Sequence, residues 1–148
     1  HDIGKMGIDE KILNKSGQLT EEEYIVMKSH TLIGASMLAR LDHYRDEELA
    51  RTAYQICRWH HERYDGGGYP DGLKGEEIPI AAQVVSIADA YDALISPRVY
   101  KEGFSHEQAM QMIRNGECGA FNPLLIECLE DSQSRIRYLA SMTAERFS

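Results

Sequence analysis

His60-His61-Glu62-Arg63-Tyr64-Asp65-Gly66-Gly67-Gly68-Tyr69-Pro70-Asp71-Gly72 decides how this chain is read. Two adjacent histidines come at the end of a helical pattern, and a glycine-rich loop follows at once. Leu49, Ala53, Ile56 and His60 keep i, i+4, i+7, i+11 spacing, which predicts a helix over about 47–63. His60 then faces where the apolar residues face, and His61 points about 100° round the helix from it. Asp65-Gly66 supplies the exit, because glycine relieves the left-handed conformation a helix end needs. Residues 64–78 hold five glycines and one proline. A loop this long without structure of its own is uncommon and often functional. Paired histidines beside a mobile, aromatic-tipped loop point to a metal site with something lying over it.

Outward from this stretch the chain reads as helices. Pro79 fits the first turn of a helix over about 79–96. Its Val84, Val85 and Ile87 also suit a strand, but Ile80, Val84, Ile87, Tyr91 and Leu94 keep helical spacing over several turns. Upstream, residues 1–19 read as a short helical end and then a loop. Thr20 with Glu23 is a capping-box signal opening one helix that carries Ile25, Met27, Leu32, Ile33, Met37, Leu38 and Leu41, with His30 in its middle. Downstream, Ser105 with Gln108 opens a short helix to Asn115-Gly116, and Asn122-Pro123 opens the last one. The polar run Asp131 to Arg137 is expected to project from the body. The expectation is an all-α bundle of about five to six helices, one domain over 1–148, with a core over about 1–129 and a helical extension over 130–148. A ligand-rich His1-Asp2 start is expected to be a cut within a domain, since termini are usually poorly held.

With 148 residues, 43% hydrophobic and 27% charged, the chain is an ordinary globular composition. No apolar run is long enough to span a bilayer, and no signal peptide is expected. Net charge of −8 argues against nucleic-acid polymers and anionic membranes, which select basic surfaces. It leaves room for a small phosphorylated ligand, since bound cations reverse the local field. Cys57, Cys118 and Cys128 are an odd number without CxxC spacing and read as buried free thiols in a reducing cytoplasm.

His1, Asp2, His30, His60, His61 and Asp89 are the candidate ligands. Imidazole with carboxylate suits iron, manganese, zinc or nickel. Adjacent helical residues diverge, so neighbouring histidines chelate one ion poorly but can serve two neighbouring ions. A carboxylate such as Asp2 can bridge them. Metals roughly 3.5–4 Å apart clamp the attacking and leaving oxygens of phosphoryl chemistry. Lys5, one turn after His1, can hold a phosphate oxygen or protonate a leaving oxygen. Asp92, Arg98 and Lys101 could form a second cluster beside Asp89, the arginine fork matching phosphate or a guanine edge. Singly, each has a bland reading: His30 as a core histidine, Asp2 as an N-cap, Asp89 as a carboxylate paired with Arg98, Gly66 to Gly68 as a connection. Together they would be several unrelated coincidences, and the metal reading wins. His43 and His106 read as surface residues, and Tyr24, Tyr44 and Trp59 as packing residues.

His1-Asp2-Ile3-Gly4-Lys5, Met27-Lys28-Ser29-His30, the His60 to Pro70 string and Ala88-Asp89-Ala90-Tyr91-Asp92-Ala93-Leu94 resemble the HD-GYP domain, a subgroup of the HD metal-dependent phosphohydrolases. The likeness extends to about Leu129. A bare His-Asp pair is a weak signal, and the HHExxDGxGYP string is long and specific. The resemblance implies an all-helical bundle of the HD-domain type, from bacterial cytoplasmic signalling proteins that hydrolyse cyclic di-GMP to linear pGpG and on to GMP. It implies two or three divalent transition metals, iron or manganese foremost, with zinc or nickel as alternatives. Carried over by position, it makes His1, Asp2, His30, His60, His61 and Asp89 metal ligands, with Asp2 bridging. Lys5 would act at the scissile phosphate. Asp92, Arg98, Lys101 and Tyr69 would meet the substrate. Gly68-Tyr69-Pro70 would line the site or contact partners such as GGDEF-domain cyclases, and a receiver or sensor domain would lie upstream. The family's further histidine and glutamate ligands belong before His1. Rival readings are a non-catalytic module that binds cyclic di-GMP or a partner protein, and an HD phosphohydrolase for another cyclic dinucleotide or nucleotide.

Overall fold

A computed structural model describes residues 1–41, 44, 47–97 and 103–147, without the side chains of 143–147. His43, Arg98 and Lys101 therefore lie outside the described residues. The described residues are helical and contain no strand, as the all-α expectation required. They form two compact units, His1–Ser86 and Ile87–Ser148.

The first unit begins with a 3-10 turn at Ile3–Gly7 and a one-turn helix α1 (Glu10–Leu13). The sequence predicts a loop where α1 stands. It forms because the Asp9 carboxylate caps it, accepting from the Lys11 N–H at 2.8 Å. α2 (Glu21–Lys28) opens on the expected capping box: Thr20 Oγ1 accepts from the Glu23 N–H, and Glu23 accepts from the Thr20 N–H.

The single helix expected over this region is instead broken at Ser29, and α3 (His30–Ala39) starts there. The cause is local. Ser29 Oγ donates to Val26 O, His30 Nδ1 bonds Met27 O, and Thr31 Oγ1 donates to Lys28 O. Three consecutive side chains take carbonyls three residues back, which competes with the helical ladder and tightens the turn. α3 packs on the opening 3-10 turn and on α4 (Glu48–Trp59). The fit to the turn depends on Gly4, where a Cβ would lie 1.8 Å from His30 O. Only glycine lets Ile3–Gly7 press onto the start of α3, and this contact carries His1-Asp2 to His30.

α4 ends at Trp59, with His60 as its C-cap, four residues earlier than the spacing predicts. The following loop is not free. The buried Glu62 carboxylate accepts from the N–H groups of Asp71, Gly72 and Leu73 at 2.7, 3.0 and 3.0 Å. Asp71 in turn accepts from Arg58 and from Trp59 Nε1. The loop is thus tied to its own helix, and the expectation of a mobile loop is corrected. Gly68 is required where it folds back, since a Cβ there would lie 2.3 Å from the Arg63 nitrogen.

α5 (Ile80–Ile95) runs through the boundary between the units. The second unit adds α6 (His106–Arg114), α7 (Pro123–Asp131) and α8 (Gln133–Phe147). Ser105 and Gln108 form the expected capping box. Its core is Ile87, Tyr91, Ala109, Met110 and Ile113, with Leu125, Leu129 and Ile136 packed against it. Residues 131–137 do not project as expected. The chain breaks at Ser132, which lets Ile136 reach the core and Arg137 pair with Glu107. His106 is half-buried and bonds the Tyr91 hydroxyl at 2.8 Å, so its surface reading is also corrected. Of the cysteines, Cys57 alone is buried; Cys118 is half-buried and Cys128 exposed.

Candidate metal centre

Five of the six expected ligands meet in the first unit. His30 starts α3, His60 and His61 leave α4, and His1 and Asp2 precede the 3-10 turn. His30 and His60 are each 1% exposed, far more buried than histidine usually is. Each ring is fixed from behind. His30 Nδ1 lies 2.7 Å from Met27 O, and His60 Nδ1 lies 2.9 Å from Ile56 O. A carbonyl only accepts, so both Nδ1 atoms carry a proton, and in the neutral rings both Nε2 atoms present lone pairs, as metal ligands must.

Those two Nε2 atoms face each other at 3.3 Å. In the neutral Nδ1–H tautomers these are two lone pairs, which cannot bond one another. Asp2 Oδ1 stands 3.5 Å from His30 Nε2 and 3.8 Å from His60 Nε2, buried and without a hydrogen-bond partner. Two imidazole nitrogens and a carboxylate oxygen therefore converge on one point. A buried arrangement of this kind is unfavourable alone and fits a bound cation. The carbonyl behind each ring is the support that metal-binding histidines require.

The ligand atoms of His30, His60 and His61 lie within 4.8 Å of one another, and so do those of His1, Asp2 and His60. Both sets could hold an ion. Asp2 faces both ways: Oδ2 lies 3.5 Å from His1 Nε2 and accepts from Lys5 Nζ at 2.5 Å. Burial pushes the Asp2 carboxyl up, the Lys5 hydrogen bond and charge pull it down, and the group ends below the ordinary range. Burial, with His60 and His30 beside it, pushes His61 down to about 3, so its imidazole is neutral near pH 7 as a ligand must be. The bland reading of Asp2 as a cap does not hold, since its side chain makes no capping bond.

Tyr69 stacks on His61 with ring centroids 4.8 Å apart. The Gly68-Tyr69-Pro70 turn thus comes back onto a candidate ligand, and the Tyr69 N–H donates to His61 O. Asp89 and Asp92 are on α5 in the second unit, half-buried and exposed respectively. Sequence reasoning missed Glu62 and the clasp of Asp71 with Arg58 and Trp59. Glu62 stood inside the decisive string, but its three backbone bonds join residues nine to eleven positions away and leave no periodic mark.

The family described as HD domain matches residues 1–122. The chain belongs to the HD domain family. Its relatives carry the HD-GYP resemblance further. It is 46% identical over 128 residues to a cyclic di-GMP phosphodiesterase of Vibrio cholerae, covering 86% of this chain and 26% of the relative. It is 38% identical over 139 residues to the cyclic di-GMP phosphodiesterase response regulator RpfG of Xanthomonas campestris, covering 94% and 36%. It is 37% identical over 129 residues to a 3′3′-cGAMP-specific phosphodiesterase of Vibrio cholerae, covering 87% and 24%. The chain spans between about a quarter and little more than a third of the length of these relatives. No described helix is long and apolar enough to cross a membrane.

Proposed function

We propose that this HD domain is the catalytic part of a metal-dependent phosphodiesterase that hydrolyses cyclic di-GMP to linear pGpG, with GMP as the further product. The observation that carries the proposal is the convergence of His30 Nε2, His60 Nε2 and Asp2 Oδ1 within 3.8 Å of one another. Relatives named for cyclic di-GMP hydrolysis support a hydrolase over a silent binding module, and they are more similar to this chain than the cGAMP-specific relative.

Two or three divalent transition metals, iron or manganese first, fit a donor set of imidazoles and one carboxylate. When bound, such ions supply charge to the phosphoryl oxygens and a nucleophile near neutral pH. His1, Asp2, His30, His60, His61 and Asp89 would hold them. Asp2 suits the bridging place, because its two oxygens face different imidazoles. Lys5 positions Asp2 and would carry a proton or charge to the leaving 3′-oxygen. Asp92, Arg98, Lys101 and Tyr69 would bind substrate. The stack of Tyr69 on His61 supports a place for that ring at the site. An upstream receiver or sensor domain, a cytoplasmic location and contacts of the Gly68-Tyr69-Pro70 loop with GGDEF-domain proteins complete the proposal.

The test is metal analysis of the purified chain beside a cyclic di-GMP hydrolysis assay with added manganese or iron. Two or more metals per chain with pGpG release are expected, and Asp2→Ala should lose both. Normal turnover in Asp2→Ala would sink the mechanism.

A further inference from the structure

Lys28 closes α2, two residues before His30. Its ammonium lies over two rings, 5.1 Å from the centroid of Tyr24 and 5.7 Å from that of Tyr69. Both distances fall within the range of cation–π attraction. Tyr69 itself stacks on His61. The Lys28 charge therefore stands one ring away from the histidine cluster.

What separates Lys28 from neighbouring cations is its partners. Lys5 is committed to Asp2, Arg58 to Asp71, Arg63 to Asp65 and Lys15 to Glu23. Among the described residues Lys28 makes no ion pair. The tyrosine faces steer the ammonium without neutralising it, and its three donors stay available. In a chain of net charge −8, an uncompensated lysine at the rim of a metal site is chemistry suited to an anion.

We propose that Lys28 binds the phosphodiester that is not being cleaved. The inference rests on the reading above, in which the substrate is a cyclic dinucleotide with two phosphodiester groups. With one group against Asp2, His30 and His60, the other is displaced along the nucleotide ring. A point charge on a flexible stem can meet it there. The role is one of binding, so it belongs to KM and Kd rather than to bond breaking.

The test is titration calorimetry of cyclic di-GMP into the manganese-loaded chain, with steady-state kinetics and metal content on the same samples. Lys28→Met keeps a stem against the rings and removes the charge; Lys28→Arg keeps the charge. Losing one charge-assisted contact predicts binding about tenfold weaker in Lys28→Met. KM should rise in step, kcat should change much less, and Lys28→Arg should recover most of the loss. Metal content should match in all three chains. A fall in kcat at unchanged Kd would overturn the proposal. So would an arginine variant as weak as the methionine one, or metal loss in Lys28→Met, which would make the lysine a support of the cluster. If the unchanged chain binds cyclic di-GMP and Lys28→Met binds it equally, the Lys28 inference alone fails. If the unchanged chain neither binds nor cleaves it, the phosphodiesterase reading fails and this inference falls with it.

Discussion

The two units differ in the largest side chains that they bury completely. In the second, the least exposed large side chain is Ile113, surrounded by Ile87, Tyr91, Ala109 and Met110. In the first, the corresponding positions go to His30, His60 and Thr31, with the Glu62 carboxylate close behind at 3% exposed. One interior is stabilised by removing apolar surface from water, worth roughly 1.5–3 kcal/mol for a side chain such as Ile113. The other also buries Ile8, Ala35, Cys57, Ile78 and Ala82, but its buried polar atoms are tolerated only as far as each finds a partner. Most do: Met27 O, Ile56 O and three loop N–H groups are all engaged. In the first unit the buried side-chain atom left without a hydrogen bond is Asp2 Oδ1, among the described residues, and it is aimed at His30 and His60.

This contrast can be broken most forcefully at Ile113. Ile113→Ala should lower the stability of the second unit by about 2–5 kcal/mol, the cost of lost burial plus the cavity left behind. Denaturant unfolding reads it. The metal held by His1, Asp2, His30, His60 and His61 should be unchanged per folded chain; a variant that lost metal as well would point to Asp89, the proposed ligand in the second unit.

The next effect comes from filling the polar interior. Adding manganese to chelator-stripped chain at a hundred times its Kd should stabilise the fold by about 2.7 kcal/mol, because a ligand held only by the folded state shifts unfolding by mass action. Asp2→Ala should respond less, and its melting temperature should move less on addition of metal. Equal shifts in both chains would show that the converging acceptors are not where the ion binds.

Glu62 sharpens the comparison further. Glu62→Gln keeps one acceptor oxygen and replaces the other by an NH2 group, so at least one of the Asp71, Gly72 and Leu73 N–H groups meets a donor. An unsatisfied buried group costs about 1–3 kcal/mol. Amide hydrogen exchange at 71–73 should accelerate while exchange in α6 stays as before. Unchanged protection at 71–73 would remove Glu62 from its role.

These cases also show what the sequence makes legible. The helices were readable because apolar spacing and capping boxes are local: Thr20 with Glu23 and Ser105 with Gln108 form as the residues predict. The histidines were readable because adjacent ligands on a helix exit are rare in a plain core. The break at Ser29 was not, since it comes from three side chains reaching back to carbonyls and leaves the apolar spacing intact. Nor was the fastening of the loop. Five glycines look like mobility, while the bonds that restrain them run from Glu62 and Asp71 across the fold. Arg98 and Lys101 lie outside the described residues, so their part in the second proposed cluster rests on the resemblance.

The smallest expected effect belongs to the loop's outer fastening. Asp71 accepts from Arg58 Nε and Nη2 at 2.8 and 2.9 Å and from Trp59 Nε1 at 2.7 Å. The Arg58 bond first, then that of Trp59, holds the Asp71 carboxyl below the ordinary aspartate range. A folded pKa below the unfolded one means that the contribution is complete above about pH 3.9 and is lost as pH falls through the lower folded value. Nothing should therefore change between pH 5 and 8. Because these side chains are partly exposed, Asp71→Asn should cost less than about 1 kcal/mol. Trp59 is the sole tryptophan, so its fluorescence reads the clasp directly. The unchanged chain should show an acid transition in Trp59 emission with a midpoint below 3.9, and Asp71→Asn should lack it. A transition persisting in Asp71→Asn would assign the titration to another group. It would leave Glu62, buried and bonded to three backbone amides, as the fastening that holds Tyr69 over His61.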